Sequence, residues 1–89
     1  MKIRYTKRFS KDLDGIIDDA DLKERVLDVI EKLQQMDSLG DTSNVRKIQG
    51  YKEYYRIRIG DYRLGVKMTK DCIEMLRFLH RKDIYRKFP

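Results

Sequence analysis

The stretch YYRIRIGDYRLGVKMT, residues 54–69, decides the fold. Two runs of period two, Tyr54–Ile59 and Tyr62–Thr69, flank the dipeptide Gly60-Asp61, and such a pair between alternating runs signals a two-residue β-hairpin. A loop of fixed length sets the register. Ile59 then opposes Tyr62, Ile57 opposes Leu64 and Tyr55 opposes Val66, which makes one apolar face for a core. The other face sets Arg58 against Arg63 and Arg56 against Gly65. Like charges directly opposed cost a sheet from a few tenths to about 1 kcal/mol. An anion between the two guanidiniums reverses that sign, and the flat forks of arginine match the oxygens of a phosphate. Gly65, across from Arg56, leaves a spot without a side chain where a ligand backbone is expected to approach.

Working outward toward the C-terminus, Lys70-Asp71 is a second turn and Cys72–Leu79 the next strand. Continuing the register across that turn pairs Lys67 with Glu74 as a surface ion pair. It sets Phe78 across from Arg63 and brings His80 onto the same face beyond it. His80 is the one histidine, the residue type that changes charge near neutral pH. The same register puts Arg77 opposite Leu64 on the apolar face, so either that edge is open or a bulge shifts the strand. Arg81 points away from His80 unless the strand ends there. The basic, aromatic tail Arg81–Pro89 is read as a last helical turn.

Toward the N-terminus the period changes. Lys2–Thr6 alternates as a short strand. Phe9, Leu13, Ile16 and Ile17 then share one helical face, with Thr6 as cap and Gly15 keeping the helix short. Asp21 with Glu24 reads as a capping box for a second helix that carries Leu22, Val26, Val29, Ile30 and Leu33 and ends near Met36. Asp37 to Asn44, DSLGDTSN, is loop chemistry; Val45–Ile48 is a short strand and Gly50 a turn. The fold class is α+β: an N-terminal strand, an α-helical hairpin and an antiparallel β-meander, with the helices packed on one face of the sheet.

The 89 residues leave room for one domain. With 40% apolar and 40% charged residues and one proline, the chain is neither a disordered tail nor a fibre. No apolar run reaches the roughly 18 residues of a membrane span, and the N-terminus lacks a signal-peptide core. Cys72, the single cysteine, cannot form an internal disulfide; it reads as inert and points to a reducing, cytoplasmic setting. The net charge of +6 is segregated. Residues 1–44 hold eight Lys/Arg against ten Asp/Glu, and residues 45–89 hold thirteen against five. The second half is therefore expected to face a polyanion or an acidic partner. Tyr51, Tyr54, Tyr55 and Tyr62 read as half-buried packing, with base stacking as the other use of such residues. Nothing resembles a metal cluster, a P-loop, a Ser-His-Asp constellation or a dinucleotide fingerprint.

The run RKIQGYKEYYRIRIGDYRLGV, followed one strand later by LHRKDIYRKF, resembles the RelE/ParE superfamily of toxins from bacterial toxin–antitoxin systems. The shared elements are Lys-x-x-Gly, Tyr-Arg-x-Arg, Gly-Asp-Tyr-Arg and the closing His-Arg-Lys-x-x-Tyr, and the likeness covers essentially the whole chain. Of its branches, the resemblance favours RelE. It implies a ribosome-dependent mRNA endonuclease that needs no metal or cofactor, in which the RNA's 2′-hydroxyl attacks the adjacent phosphate. Such a reaction asks for a proton acceptor, charge compensation at phosphorus and a proton donor for the leaving oxygen. By match, Arg63 contacts the scissile phosphate, and Arg81 and Tyr85 are the C-terminal members of the site. Arg56 and Arg58 stand where RelE has lysines; arginine is a poor base, so both read as phosphate clamps. His80 becomes the titrating candidate, with Lys52 and Tyr85 behind it. Arg46, Lys47, Lys52 and Lys82 are the expected RNA contacts. The implied partners are an acidic antitoxin, in a toxin–antitoxin hetero-oligomer, and the ribosome with its mRNA. A ParE-like gyrase inhibitor without RNase chemistry and a non-catalytic RNA- or ribosome-binding module are the alternatives.

Overall fold

The computed structural model describes residues 1–16, 18–36 and 44–89. Ile17 and most of the expected 37–44 loop lie outside them. The elements are β1 (Lys2–Tyr5), α1 (Lys7–Asp14), α2 (Ala20–Gln35), β2 (Val45–Lys47), β3 (Tyr54–Ile59), β4 (Tyr62–Thr69), β5 (Cys72–His80) and α3 (Arg81–Lys87). The strands form one sheet in the order β1-β5-β4-β3-β2. All contacts between neighbours are antiparallel except β1 on β5, which is parallel.

The β3–β4 hairpin has the register its loop dictates, from Ile59 opposite Tyr62 to Arg58 opposite Arg63 and Arg56 opposite Gly65. Gly60 has φ +59°, and a positive φ at the first of two loop residues is the turn in which glycine carries no steric cost. Thr6 caps α1 by accepting from the Phe9 N–H at 3.2 Å. The cap of α2 differs from the expected capping box. Asp19, two residues earlier, accepts from Leu22 N–H at 3.0 Å. Asp21 falls instead within the first turn, where its charge suits the helix dipole.

Between the α1–α2 hairpin and the sheet, Phe9, Val26, Leu64, Val66, Ile73 and Met75 are at most 1% exposed and form the main core. The other sheet face is not bare. The tail forms two helical turns, and Ile84 and Phe88 close over Ile48, Tyr54, Leu76 and Leu79 as a second apolar cluster. The expectation of helices on one face thus holds for the hairpin and fails for α3. The spot opposite Arg56 is likewise filled: a Cβ on Gly65 would lie 2.8 Å from the Phe88 ring, so the backbone that approaches there is the chain's own.

β5 contains the device that sets the upper half of the sheet. Lys67 opposes Glu74 and Val66 opposes Met75, but Gly65 opposes Arg77, leaving Leu76 as a one-residue bulge. Above it every β5 side chain changes face. Arg77 thereby avoids the core and reaches Asp12 of α1 at 2.8 Å, while the same carboxylate accepts from the Phe78 N–H at 2.9 Å. Asp12 so closes the edge of β5 that β1, ending at Tyr5, leaves open. The expected Lys67–Glu74 ion pair is not made; Lys67 lies over the Tyr54 ring, 5.7 Å from its centroid.

Candidate nucleic-acid interface

On the α3 side of the sheet, Arg56 of β3 stands between Arg46 of β2 and Gly65 of β4, and Arg58 stands opposite Arg63. The pleat projects these four guanidiniums to one side, because their neighbours Ile57, Ile59 and Leu64 are committed to the main core. α3 folds back beside them and contributes Tyr85. Together with Asn44, these residues line a concave basin of about 150 Å³.

The basin is held in shape from outside. Arg63 donates through Nη1 to the carbonyls of Gly60 and Tyr62, both at 2.9 Å, which leaves Nε and Nη2 without a protein acceptor among the described residues. The Arg56 guanidinium lies over the Tyr85 ring, 4.5 Å from its centroid, a cation–π contact of roughly 0.5–2 kcal/mol. That contact fixes a tyrosine that is otherwise 63% exposed. Asn44 is tied in through its carbonyl, which accepts from Arg58 N–H at 2.9 Å. The ion pairs among the described residues are Arg77–Asp12 and Arg86–Asp83, so none of the basin's four arginines meets a carboxylate there. Four like charges on one concave surface repel one another, and a bound polyanion removes the penalty.

Of the residues singled out from the sequence, Arg46, Arg56, Arg58, Arg63 and Tyr85 come together. Arg81 and Lys82 are exposed at the start of α3 and do not line the basin; Arg81 N–H donates to Asp61 and Lys82 N–H to His80 Nδ1. Lys47 and Lys52 border a separate open depression beside the β2–β3 loop. His80 is the main correction. The bulge carries it from the arginine face to a position opposite Tyr62, edge-on to that ring at 5.4 Å, and Tyr62 stacks on core Phe78 at 5.1 Å. Phe78 moves with it, from its expected place across from Arg63 to a place opposite Leu64. The Nδ1 of His80 accepts from the Lys82 N–H at 3.2 Å and caps α3. Asn44 was missed because it looks like ordinary loop; its one signal is its position just before a basic strand whose register is set by the hairpin.

The family model described as the ParE toxin of type II toxin–antitoxin systems, parDE, matches residues 3–85. Toxin RelE3 of Methanocaldococcus jannaschii is 42% identical over 90 residues, covering 100% of both chains. Among solved structures, the RelB–RelE antitoxin–toxin complex from Methanococcus jannaschii superposes with a TM-score of 0.81 at 40% identity, over 97% of this chain and 99% of that one. The E. coli DinJ–YafQ complex gives 0.76 at 17% identity, over 94% and 97%, a likeness of fold.

Proposed function

The chain belongs to the ParE toxin family of type II toxin–antitoxin systems, and from that premise we propose that this toxin is a metal-independent, ribosome-dependent mRNA endonuclease. The observation that carries the reading is the basin itself: four arginines without carboxylate partners among the described residues, gathered around one tyrosine. In this mechanism the 2′-hydroxyl attacks the adjacent phosphorus, the O2′–P bond forms and the P–O5′ bond breaks. Arg63, braced on the Gly60–Tyr62 backbone, presents its free N–H groups to the phosphate oxygens as negative charge builds on them. Arg46, Arg56 and Arg58 hold the flanking strand and compensate the same charge. None of them can take a proton. Tyr85 is the lining side chain with an exchangeable O–H, and it supplies the proton to the leaving 5′-oxygen, while the 2′-proton passes to water in the open basin.

The partner follows from the same charge. An acidic antitoxin segment competes with RNA for the arginine face, in the manner of an anion that relieves the opposed cations. The relative in the RelB–RelE antitoxin–toxin complex supports this pairing.

Primer extension on a reporter mRNA with purified ribosomes tests the activity. Wild type is expected to cut; Arg63→Ala to cut about 10²–10³-fold more slowly, and Tyr85→Phe about 10²-fold or more. His80→Ala is expected to keep the cuts, because His80 lies outside the basin. Growth arrest without cutting would transfer the assignment to the gyrase-inhibitor reading.

A further inference from the structure

The β2–β3 loop presents a second surface on the α3 side of the sheet. Tyr51 at its tip is 51% exposed, although Tyr54, Tyr55 and Tyr62 all pack against the two apolar clusters. Its ring is braced and not loose: it meets Tyr54 edge-on at 6.0 Å, and Tyr54 lies 5.9 Å from Phe88. The backbone is braced as well. Gly50 at φ +85° and Glu53 at φ +71° turn the chain sharply on either side of Tyr51-Lys52. Tyr51 N–H donates to the Ile48 carbonyl at 3.3 Å, and the Glu53 carbonyl accepts from Met68 N–H at 2.8 Å. Lys47 and Lys52 line the same depression as Tyr51, and among the described residues no carboxylate does.

Resting on the nuclease reading, we propose that Tyr51 is a stacking platform for an unpaired base of the RNA strand whose scissile phosphate lies in the arginine basin. Lys52, the neighbour of Tyr51 in the loop, takes a phosphate beside that base. A held aromatic ring beside a cation is an arrangement by which single-stranded RNA is bound with little regard to base identity, since every base has a π-face. The basin and the platform are also continuous. Tyr54, which Tyr51 meets edge-on, and Arg56, which lines the basin, are alternate residues of β3 and project to the same face, about 7 Å apart at ~3.3 Å per residue. A strand seated in the basin reaches the platform within a few nucleotides.

The test is fluorescence anisotropy with a short single-stranded RNA oligonucleotide, 2′-O-methylated so that it cannot be cut. Wild type, Tyr51→Ala, Tyr51→Phe and Arg58→Ala are titrated in parallel. Tyr51→Ala is expected to weaken Kd about tenfold, and Tyr51→Phe to stay within about twofold, because stacking uses the ring and not the hydroxyl. Moving a single abasic unit along the oligonucleotide should reproduce the loss at one position in wild type and cost nothing further there in Tyr51→Ala. Wild-type affinity in Tyr51→Ala, or an equal loss in Tyr51→Phe, overturns the platform. If Arg58→Ala alone weakens binding, the platform falls and the nuclease reading stands; if neither variant weakens it, both fall. Unchanged RNA affinity together with weaker binding of the acidic antitoxin would make the loop a protein dock, which also overturns the proposal.

Discussion

At the scale of single residues, Gly65 shows how a position chosen for what it lacks organises what surrounds it. It stands opposite Arg56, and the Phe88 ring occupies the volume a side chain would take. Gly65→Ala places a methyl 2.8 Å from ring atoms that are themselves buried. The expected outcome is a loss of about 1–3 kcal/mol in urea unfolding, the usual cost of overpacking. In a Phe88→Ala background the same change should cost almost nothing, since the partner of the clash is gone. Equal losses in both backgrounds would place the cause elsewhere. Arg63 makes a related point. Two carbonyl contacts spend one nitrogen on holding the guanidinium still and leave the others for a ligand.

At the scale of elements, α3 is the piece on which the basin depends. Seven residues are too few to hold a helix in water alone, so its stability comes from docking. Ile84, fully buried, is the main anchor, with Phe88 beyond the last turn. Ile84→Ala is expected to lower stability by about 2–4 kcal/mol and to speed amide hydrogen exchange through residues 84–88 ahead of the core strands. Because Tyr85 sits between these anchors, cleavage should fall with docking even though no basin residue has changed. Normal exchange in that segment would count against the dependence. The bulge in β5 is the other decisive element: it sends Arg77 to Asp12 and removes His80 from the basin.

At the scale of the whole molecule, some arginines are neutralised by carboxylates and others are not. Arg77 and Arg86, both from the basic second half, are matched by Asp12 and Asp83, whereas the basin's arginines meet no carboxylate among the described residues. Binding to a single strand should therefore be strongly salt-dependent. Four phosphate contacts predict a slope of log Kobs against log salt of roughly −3, and Arg58→Ala should reduce its magnitude by about 0.7. Anisotropy over about 50–300 mM salt measures it. A slope near zero would mean that the arginines do not contact phosphates.

The local pattern alone determined the β3–β4 hairpin, its register and the opposed arginines. A two-residue loop with glycine first leaves no freedom in pairing, and alternation then assigns every side chain to a face. The short α1 capped by Thr6 and the apolar stripe of α2 were legible for the same reason, since caps and periodicity act within a few residues. What lies far apart in sequence was decided only in three dimensions. Where the bulge falls depends on Arg77 finding Asp12 sixty-five residues away, and that choice moved His80 to the other face. The docking of α3, with Tyr85 over Arg56 and Phe88 over Gly65, depends on a second apolar cluster assembled from the β2–β3 loop, β3, β5 and the tail. No period in the chain encodes that cluster, because its members become neighbours only after the sheet has formed.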